Sequence, residues 1–314
     1  MQYAISTFTD GTLEIMEFEI DEKGPDGAII SGLYGISVSK VGEVIKTPDK
    51  ISPTAKDHPA IEGVIELRGE VIPIINLPKW LEKYDSDFNY GRIIIVEFNM
   101  MKAGLLVSRV NRIYRVPCEN FTPPTPIMRG GRKLITTGVV RNEGRLLLML
   151  DYETMMADID DEAFADPNEI PKAPLKGGRV LLVEDSGMVV TVLKKVFLEA
   201  GYSVMEAGNG DEALQALEIA SEKWERDGIP IAEALTAVVT DVEMPLMDGV
   251  QFIAKLKADK RFQSLRVVIF SSVVTEEIQK RWSAIGVNAI IPKPMMSELV
   301  GYVNEFMATA GMHR

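Results

Sequence analysis

One stretch of the chain, residues 237–249, constrains the fold more than any other. It reads Ala-Val-Val-Thr-Asp-Val-Glu-Met-Pro-Leu-Met-Asp-Gly, so an apolar, β-branched run ends at Asp241 and gives way to a turn that contains proline and glycine. This pattern predicts a buried strand with Asp241 at its carboxyl end. Ligands of open parallel α/β sheets bind beyond the carboxyl ends of the strands, so we expect a site at Asp241.

Three further predicted strands end in polar side chains of matching chemistry. Residues 179–183 lead to Glu184 and Asp185, residues 266–270 lead to Ser271, and residues 289–291 lead to Lys293. Strands alternate with predicted helices at 186–200, 209–224, 250–258, 276–285 and 295–307, and a short strand is expected at 203–205. Ser186 and Asn209 are the predicted caps of the first two helices. The alternation predicts a doubly wound α/β domain with a parallel five-stranded sheet, which brings three carboxylates, a hydroxyl and an amine to one rim.

The predicted rim has the side chains that phosphoryl transfer needs. Carboxylates as close as Glu184, Asp185 and Asp241 repel one another unless a cation is present, and Mg²⁺ prefers oxygen ligands. A carboxylate can act as the nucleophile toward phosphorus while a metal ion and a lysine neutralise the phosphoryl oxygens. Lys293 is the predicted point charge for the phosphate, and Ser271 is a predicted hydrogen-bond donor to it.

The first half of the chain has a different pattern. Eight short apolar runs alternate with turn residues, at 13–20, 33–38, 62–67, 71–77, 92–98, 104–110, 134–140 and 145–150. Residues 34–48 align without gaps on 103–117, and residues 63–75 match 138–150, each as two strands around a glycine-containing turn. Two units of about 70 residues, each with its own hairpin, predict two similar small barrels packed together.

Length and composition set the outer limits. At 314 residues, the usual domain size of about 100 to 200 residues indicates two domains. The acidic, proline-rich residues 158–176 read as a linker between domains at 1–157 and 177–314. A net charge of −12 argues against a duplex nucleic-acid binder, and the lone cysteine, Cys118, fits a reducing compartment. Without a signal sequence or an apolar span, we expect a soluble cytosolic protein with no membrane insertion.

The residues of the second half resemble a response-regulator receiver domain over about 177–312. The resemblance implies the flavodoxin-like strand order 2-1-3-4-5, a phosphoacceptor at Asp241, and Mg²⁺ bound by Glu184, Asp185, Asp241 and the backbone carbonyl of Glu243. It also implies a switch hydroxyl at Ser271, a phosphate partner at Lys293 and a cis Lys293–Pro294 bond. Many receivers carry an aromatic switch three residues before the lysine, where this chain has Ile290. Glu243 is expected to alter the lifetime of the phosphoryl group.

Residues 10–157 resemble a CheW-type coupling domain, a family that folds as two small five-stranded barrels. The resemblance rests on Tyr-Gly-Ile-Ser-Val at 34–38, on Glu-Leu-Arg-Gly-Glu-Val-Ile-Pro at 66–73 and on the closing Leu-Leu-Met-Leu-Asp-Tyr at 147–152. It implies a partner-binding surface at Arg68 and Gly69. A coupling domain followed by a receiver resembles CheV-type chemotaxis proteins, which implies chemoreceptor tips and a CheA-type histidine kinase as partners, with recruitment to receptor arrays at the inner face of the membrane.

Several functions stay open from the sequence. The leading hypothesis is a phosphorylation-regulated chemotaxis adaptor that modulates signalling or adaptation, not an enzyme beyond its own phosphorylation and dephosphorylation. The alternative is a phosphate sink that drains the kinase. A receiver-controlled catalyst is disfavoured because residues 1–157 lack a nucleophile with a positioned base. A transcription factor is disfavoured because no helix-turn-helix follows Lys293.

Overall fold

The computed structural model describes residues 12–23, 26–54, 58–83, 90–98, 101–124, 135–159, 168–174, 177–272, 282 and 285–311. The chain divides into two compact units, Met1–Asp161 and Glu162–Arg314. In the part of the chain so described, no helix has the length and apolarity needed to cross a bilayer.

The first unit is built mainly from short strands. They are β1 (Thr12–Lys23), β2 (Ile29–Ser37), β3 (Val41–Lys46), β4 (Ile61–Leu67), β5 (Glu70–Asn76), β6 (Arg92–Phe98), β7 (Met101–Val107), β8 (Arg109–Pro117), β9 (Phe121–Thr122), β10 (Thr136–Asn142) and β11 (Arg145–Leu150). Two short α-helices accompany them, α1 (Leu77–Trp80) and α2 (Tyr152–Ile159). The β-rich interpretation of this half of the sequence is therefore confirmed.

The strands form two sheets that each close on themselves. The first barrel has the order β3-β6-β7-β5-β4, and the chain beyond β3 returns to the opposite edge through a bridge between Ser52 and Val64. The second barrel has the order β8-β1-β2-β11-β10-β9, and the chain beyond β8 returns in the same way as the two-residue strand β9, which pairs with β10. The returning segment of the second barrel pairs with β10 over two residues and therefore counts as the strand β9, which makes this sheet six-stranded. The returning segment of the first barrel pairs through a single residue, Ser52.

The duplication predicted from the sequence is present in the structure, but the two sequence repeats do not coincide with the two barrels. The first barrel takes three strands from the first repeat and the leading hairpin, β6 and β7, from the second. The second barrel takes four strands from the second repeat and the leading hairpin, β1 and β2, from the first. The two small barrels predicted from the sequence are therefore present, and each of them contains strands from both repeats. Parallel pairs β2–β11 and β5–β7 join the exchanged hairpins to their hosts. Hairpin patterns show which strands are antiparallel neighbours, whereas the host of a hairpin depends on packing between distant segments.

Glycines at matching places permit the close contacts of the exchanged hairpins. A Cβ atom on Gly35 would lie 2.6 Å from the sulfur of Met149, and one on Gly104 would lie 2.6 Å from Cδ1 of Ile74. Such separations are shorter than any normal carbon contact, so a side chain at either position would require the neighbouring Met149 or Ile74 side chain to move. The two glycines are aligned in the sequence repeat, which explains why both units retain one.

The two barrels also carry equivalent hairpin turns with opposite charge. Arg68 and Gly69 have φ values of 55° and 85°, and Glu143 and Gly144 have 49° and 76°, so both central residues of each turn are left-handed, as hairpin turns favour. Arg68 pairs with Glu43 of β3 at 3.0 Å, and Glu143 pairs with Arg112 of β8 at 2.8 Å. Both ion pairs are exposed, so each stabilises the fold by at most about 1 kcal/mol.

The second unit alternates strands and helices. Its strands are β12 (Arg179–Val183), β13 (Ser203–Ala207), β14 (Ala237–Thr240), β15 (Val267–Ser271) and β16 (Ala289–Pro292), and its helices are α3 (Gly187–Ala200), α4 (Gly210–Arg226), α5 (Ile231–Ala234), α6 (Gly249–Ala258) and α7 (Met296–Gly311). All sheet pairs are parallel in the order β13-β12-β14-β15-β16, which confirms the expected 2-1-3-4-5 arrangement. Most of the helix predicted at 276–285 lies outside the described residues.

Helix starts in this unit follow the capping residues read from the sequence. The Ser186 side chain accepts a hydrogen bond from the Val189 amide, and the Asn209 side chain accepts one from the Glu212 amide. The Glu212 carboxylate in turn accepts the Gly208 amide at 2.8 Å. These bonds satisfy amides that have no partner inside the helix, which fixes where α3 and α4 begin.

The described part of the linker is attached to the second unit. The Ala173 amide donates to the Ala200 carbonyl at 2.8 Å, and the Lys172 ammonium donates to the Glu199 carbonyl at 2.7 Å, both at the end of α3. In α7, the side-chain amide of Asn304 donates a hydrogen bond to the Lys172 carbonyl at 3.0 Å. Residues 172–173 therefore bind to the end of α3 and to the middle of α7, in a segment that its composition had indicated to be a linker.

Two residues shape the loop that follows Asp241. The Asp248 side chain accepts the Gln251 amide at 2.7 Å and so caps α6. A Cβ atom on Gly249 would lie 2.0 Å from the Asp241 carbonyl oxygen, so the loop can close only over glycine.

We expect Gly249→Ala to destabilise the second unit by about 1–3 kcal/mol, because the added methyl group overlaps a backbone oxygen that cannot move freely. Gly301→Ala is the matched control: Gly301 also lies in a helix, and a Cβ atom at that position would have open space for 4 Å around it. That variant should gain roughly 0.5–1 kcal/mol from helix propensity. Denaturant unfolding of both full-length variants measures the difference, and equal shifts in the same direction would contradict the steric argument.

The pH dependence of stability should include a contribution from Asp248. Burial raises the pKa of this carboxyl from 3.8 to about 6. The folded state therefore holds the proton more tightly than the unfolded chain, so stability should fall as the pH rises from about 4 to about 6 and stay level above that, by at most roughly 3 kcal/mol.

Asp248→Asn should keep the cap and remove this slope in urea unfolding of the second unit. Asp151→Asn is the corresponding variant in the first unit, because burial likewise raises the pKa of Asp151 to about 6 and its carboxylate accepts the Thr154 amide. An unchanged slope in Asp248→Asn would show that another group is responsible.

Candidate functional site

Four polar side chains are buried together at the carboxyl edge of the second sheet. Glu184 follows β12, Asp241 follows β14, Ser271 ends β15 and Lys293 follows β16, and none is more than 5% exposed. Their strands are consecutive in the sheet, which is why residues 109 positions apart can meet. The structure thus brings together the residues that the strand ends had indicated.

The ammonium group of Lys293 is the electrostatic centre of this edge. It donates to Oε2 of Glu184 at 2.8 Å and to Oδ2 of Asp241 at 3.2 Å. All three groups have lost most of their hydration, so the attraction is much stronger than between surface charges. The sequence had suggested Lys293 as a partner for an incoming phosphate, and in the structure it already compensates the charge of two carboxylates.

Backbone contacts hold the carboxylates in place. Oδ1 of Asp241 accepts its neighbour's amide, that of Val242, at 2.7 Å, and Oε1 of Glu184 accepts the Ser186 amide at 3.1 Å. The Thr240 hydroxyl donates to the Asp241 carbonyl at 2.8 Å, the same oxygen over which Gly249 passes. One carboxylate oxygen of each acid is therefore fixed by backbone while the other faces Lys293.

The carboxylates fit a divalent cation. One oxygen from each of Glu184, Asp185 and Asp241 lies within 4.8 Å of the other two, which is the only such group of three found in the described residues. Asp185 is only half-buried, so the cluster opens on one side. Hard oxygen donors with room for water are what Mg²⁺ requires, and two carboxylates remain in excess over the single lysine.

The remaining predicted site residues lie near this edge or in the other unit. Glu243 is half-buried in the loop after β14. Ile290 is half-buried in β16 and packs against the core of the second unit. The Lys293–Pro294 bond is cis, as the resemblance implied. Arg68 and Gly69 belong to the first unit, where they form the β4–β5 turn with 78% of the Arg68 side chain exposed.

Reading the sequence missed three contributions to the geometry of the Asp241 loop. Leu246 adopts a left-handed conformation with φ 67°, which is uncommon for a residue with a side chain. The roles of Asp248 as a helix cap and of Gly249 as the residue that passes over the Asp241 carbonyl were not assigned either. The Asp-Gly pair before an apolar helix was a usable signal for the cap, but no sequence pattern indicates the close approach of Gly249.

Comparison with protein families agrees with the two units. The model of the CheW-like domain matches residues 28–160, and the model of the response regulator receiver domain matches residues 180–304. A solved structure of the scaffolding protein TtCheW from Thermoanaerobacter tengcongensis is 25% identical and covers 50% of this chain and 96% of its own, with a TM-score of 0.39.

Individual proteins are also similar to this chain. Chemotaxis protein CheV3 of Helicobacter pylori is 33% identical over 287 residues, which cover 90% of this chain and 90% of the relative. Chemotaxis protein CheW of Thermotoga maritima is 32% identical over 147 residues, covering 46% of this chain and 89% of that protein. With a CheW-like domain, a receiver domain and this identity to CheV3 over nearly its whole length, the chain belongs to the CheV-type chemotaxis proteins.

Proposed function

We propose that this protein is a phosphorylation-regulated adaptor that couples chemoreceptors to a CheA-type histidine kinase. Its receiver accepts a phosphoryl group on Asp241, and the phosphorylated receiver modulates how the CheW-like domain engages its partners. The observation that carries the proposal is the buried Lys293 ammonium 2.8 Å from Glu184 and 3.2 Å from Asp241, beside a third carboxylate.

The transfer step uses groups that the chain itself supplies. A carboxylate oxygen of Asp241 attacks the phosphorus of a phosphohistidine; a P–O bond forms, the P–N bond breaks and its electron pair returns to the imidazole. Glu184, Asp185, Asp241 and the backbone carbonyl of Glu243 would hold Mg²⁺, which when bound supplies positive charge to the phosphoryl oxygens. Lys293 turns from the carboxylates to the new phosphate, and the Ser271 hydroxyl donates to it.

The response to the phosphoryl group is expected to run through α7. This helix begins three residues after Lys293, so a change in the contacts of Lys293 acts directly on its first turn. A tyrosine at this position could form a new hydrogen bond through its hydroxyl when its ring becomes buried. Ile290 has no polar group and cannot form such a bond. The readout in this chain therefore depends on Ser271, Lys293 and the position of α7.

The far part of α7 contacts the linker. Asn304 donates to the Lys172 carbonyl and accepts the Tyr202 hydroxyl at 2.6 Å. A displacement of α7 can thus reach residues 172–173, and from there the chain that leads to the CheW-like domain. In that domain, we propose the exposed turn at Arg68 and Gly69 as part of the surface that binds the kinase or the receptors.

Transfer of phosphate from the autophosphorylated kinase to the full chain tests the first part of the proposal. Asp241→Asn should abolish labelling, because an amide cannot act as the nucleophile, and chelation of Mg²⁺ should have the same effect on the wild-type protein. Asp248→Asn is the control, since it removes another buried carboxylate of the same loop and should leave labelling intact. Equal labelling of the Asp241→Asn protein would overturn the assignment of the phosphoacceptor.

Pull-down with the kinase and a receptor cytoplasmic fragment tests the second part. Beryllofluoride with Mg²⁺, a mimic of the phosphoryl group, should change the affinity of the full chain for its partners by about tenfold, which is 1.4 kcal/mol. Asp241→Asn should lose this response. Labelling of Asp241 without any change in binding would instead identify the receiver as a phosphate sink.

The linker contact gives a separate expectation. Asn304→Asp keeps an acceptor for Tyr202 but loses the donor to the Lys172 carbonyl, so it should accept phosphate normally while the beryllofluoride response of partner binding drops several-fold. Thr309→Ala is the control on the same helix, because among the described residues its hydroxyl bonds to carbonyls of that helix, those of Glu305 and Phe306. Hydrogen exchange at Ala173 reports release of the linker, and an Asn304→Asp protein with faster exchange but a full response would refute this route.

A further inference from the structure

The sequence repeat allows two β-hairpins of the first unit to be compared position by position. Residues 63–75, which span the β4–β5 turn and are called hairpin 1, align with residues 138–150, which span the β10–β11 turn and are called hairpin 2. Hairpin 1 reads Glu-Leu-Arg-Gly-Glu-Val at 66–71, and hairpin 2 reads Arg-Asn-Glu-Gly-Arg-Leu at 141–146. All three charged positions of hairpin 1 therefore have the opposite sign in hairpin 2.

Contacts within each barrel account for only part of this reversal. The charged turn residues have ion-pair partners in their own barrels, so opposite signs there preserve a local contact. Glu66 and Arg141 are different, because both are exposed and neither forms an ion pair or side-chain hydrogen bond within the part of the chain that the structure describes. The opposite charges of these two residues therefore have no explanation inside the barrels.

Each hairpin also exposes apolar side chains on its outer face. Val71 is 70% exposed and lies directly across from Glu66 in hairpin 1. Leu146 is 57% exposed and lies directly across from Arg141 in hairpin 2. Side chains two positions apart on a strand share a face. The next cross-strand pair on each outer face is apolar and only partly buried: Val64 with Pro73, and Val139 with Leu148.

The two outer faces are complementary to each other. Adjacent exposed apolar side chains beside charges are typical of surfaces that bind other proteins. Two copies of hairpin 1 would bring acidic side chains together, and two copies of hairpin 2 would bring basic side chains together. Hairpin 1 against hairpin 2 brings Glu66 to Arg141 instead, so the charges select the unlike pair.

We propose that hairpin 2 of one molecule binds hairpin 1 of a second copy of this chain. Leu146 of one copy packs against Val71 of the other, and Arg141 pairs with Glu66. One such contact leaves an unused hairpin on each molecule, so association continues beyond the dimer into a ring or an open chain. With one hairpin from each side, the contact is at the small end of protein interfaces, and we expect a dissociation constant on the order of 10–100 μM.

The proposed contact includes the hairpin that carries Arg68 and Gly69. We have proposed that turn above as part of the surface for the kinase or the receptors, so self-association would compete with those partners for hairpin 1.

Sedimentation velocity of the purified full chain tests the proposal at concentrations from about 1 μM to about 500 μM, which bracket the expected constant. The weight-average sedimentation coefficient of the wild type should rise past the value of a dimer, and added salt should reduce it. Glu66→Arg and Arg141→Glu should each weaken association at least about tenfold, because each brings like charges together. Both residues are exposed, so both variants should unfold in denaturant as the wild type does.

An equimolar mixture of these two variants gives the sharpest result. Hairpin 1 of the Glu66→Arg protein is then opposite in charge to hairpin 2 of the Arg141→Glu protein, and the remaining hairpins form the ordinary unlike pair. The mixture should therefore associate about as strongly as the wild type, although neither variant does so alone.

Two further variants separate the contributions of net charge and apolar contact. Glu222→Arg makes the same change in net charge as Glu66→Arg at an exposed position of α4 in the second unit, and it should leave association unchanged. Leu146→Thr keeps a residue suited to a strand and alters no charge, and it should weaken association several-fold through loss of the apolar contact.

Recovery of association in the mixture, with the Glu222→Arg protein unchanged, supports the proposal. A chain that stays monomeric at every concentration would overturn it and leave both hairpins to other partners. Unchanged association of the Glu66→Arg protein, or no recovery in the mixture, would also overturn it. These measurements contain neither kinase nor receptor and do not depend on Asp241, so their outcome is independent of the proposed function.

Discussion

The contact of Lys293 with Glu184 and Asp241 is the interaction on which the receiver unit most depends. Three strand ends deliver these side chains to a site that water scarcely reaches, and the ammonium group compensates two carboxylates there. Removal of one partner from such a buried group typically costs about 3–5 kcal/mol, because the remaining charges stay buried. Under the proposed function, a phosphoryl group at Asp241 would compete for the same lysine, so the modification would change the charge balance that stabilises the unmodified fold.

The same site explains why the loop after β14 is so closely specified. Asp241 contributes its side chain to the ion pairs and its carbonyl to contacts with Thr240 and the passing Gly249. The loop is then fixed by the Asp248 cap at the start of α6. The backbone therefore connects Asp241 directly to the start of α6, while Lys293 lies three residues before the start of α7.

The CheW-like unit depends on a different constraint, the exchange of leading hairpins between its two repeats. Glycines at 35 and 104 let the exchanged strands pack closely without displacing the side chains of Met149 and Ile74. Because each barrel contains strands from both repeats, neither repeat can fold into a barrel alone. The duplicated scaffold has then diverged at its hairpin turns, with Arg68–Glu43 in one barrel and Glu143–Arg112 in the other, and in its interior, where Ile95 corresponds to Glu17.

The sequence by itself determined the two domains, the caps at Ser186 and Asn209, and the set of residues at Asp241, because these follow from local periodicity and from the rule that parallel strands end on one edge. The strand order of the receiver was implied by the resemblance to a known family. The sequence did not determine which barrel receives which hairpin, that Lys293 pairs with two carboxylates, that Gly249 passes over a carbonyl, or that residues 172–173 bind α3 and α7. These features depend on distances between segments far apart in the chain. Only packing in the tertiary structure decides them, since many distant pairings are compatible with the same local pattern.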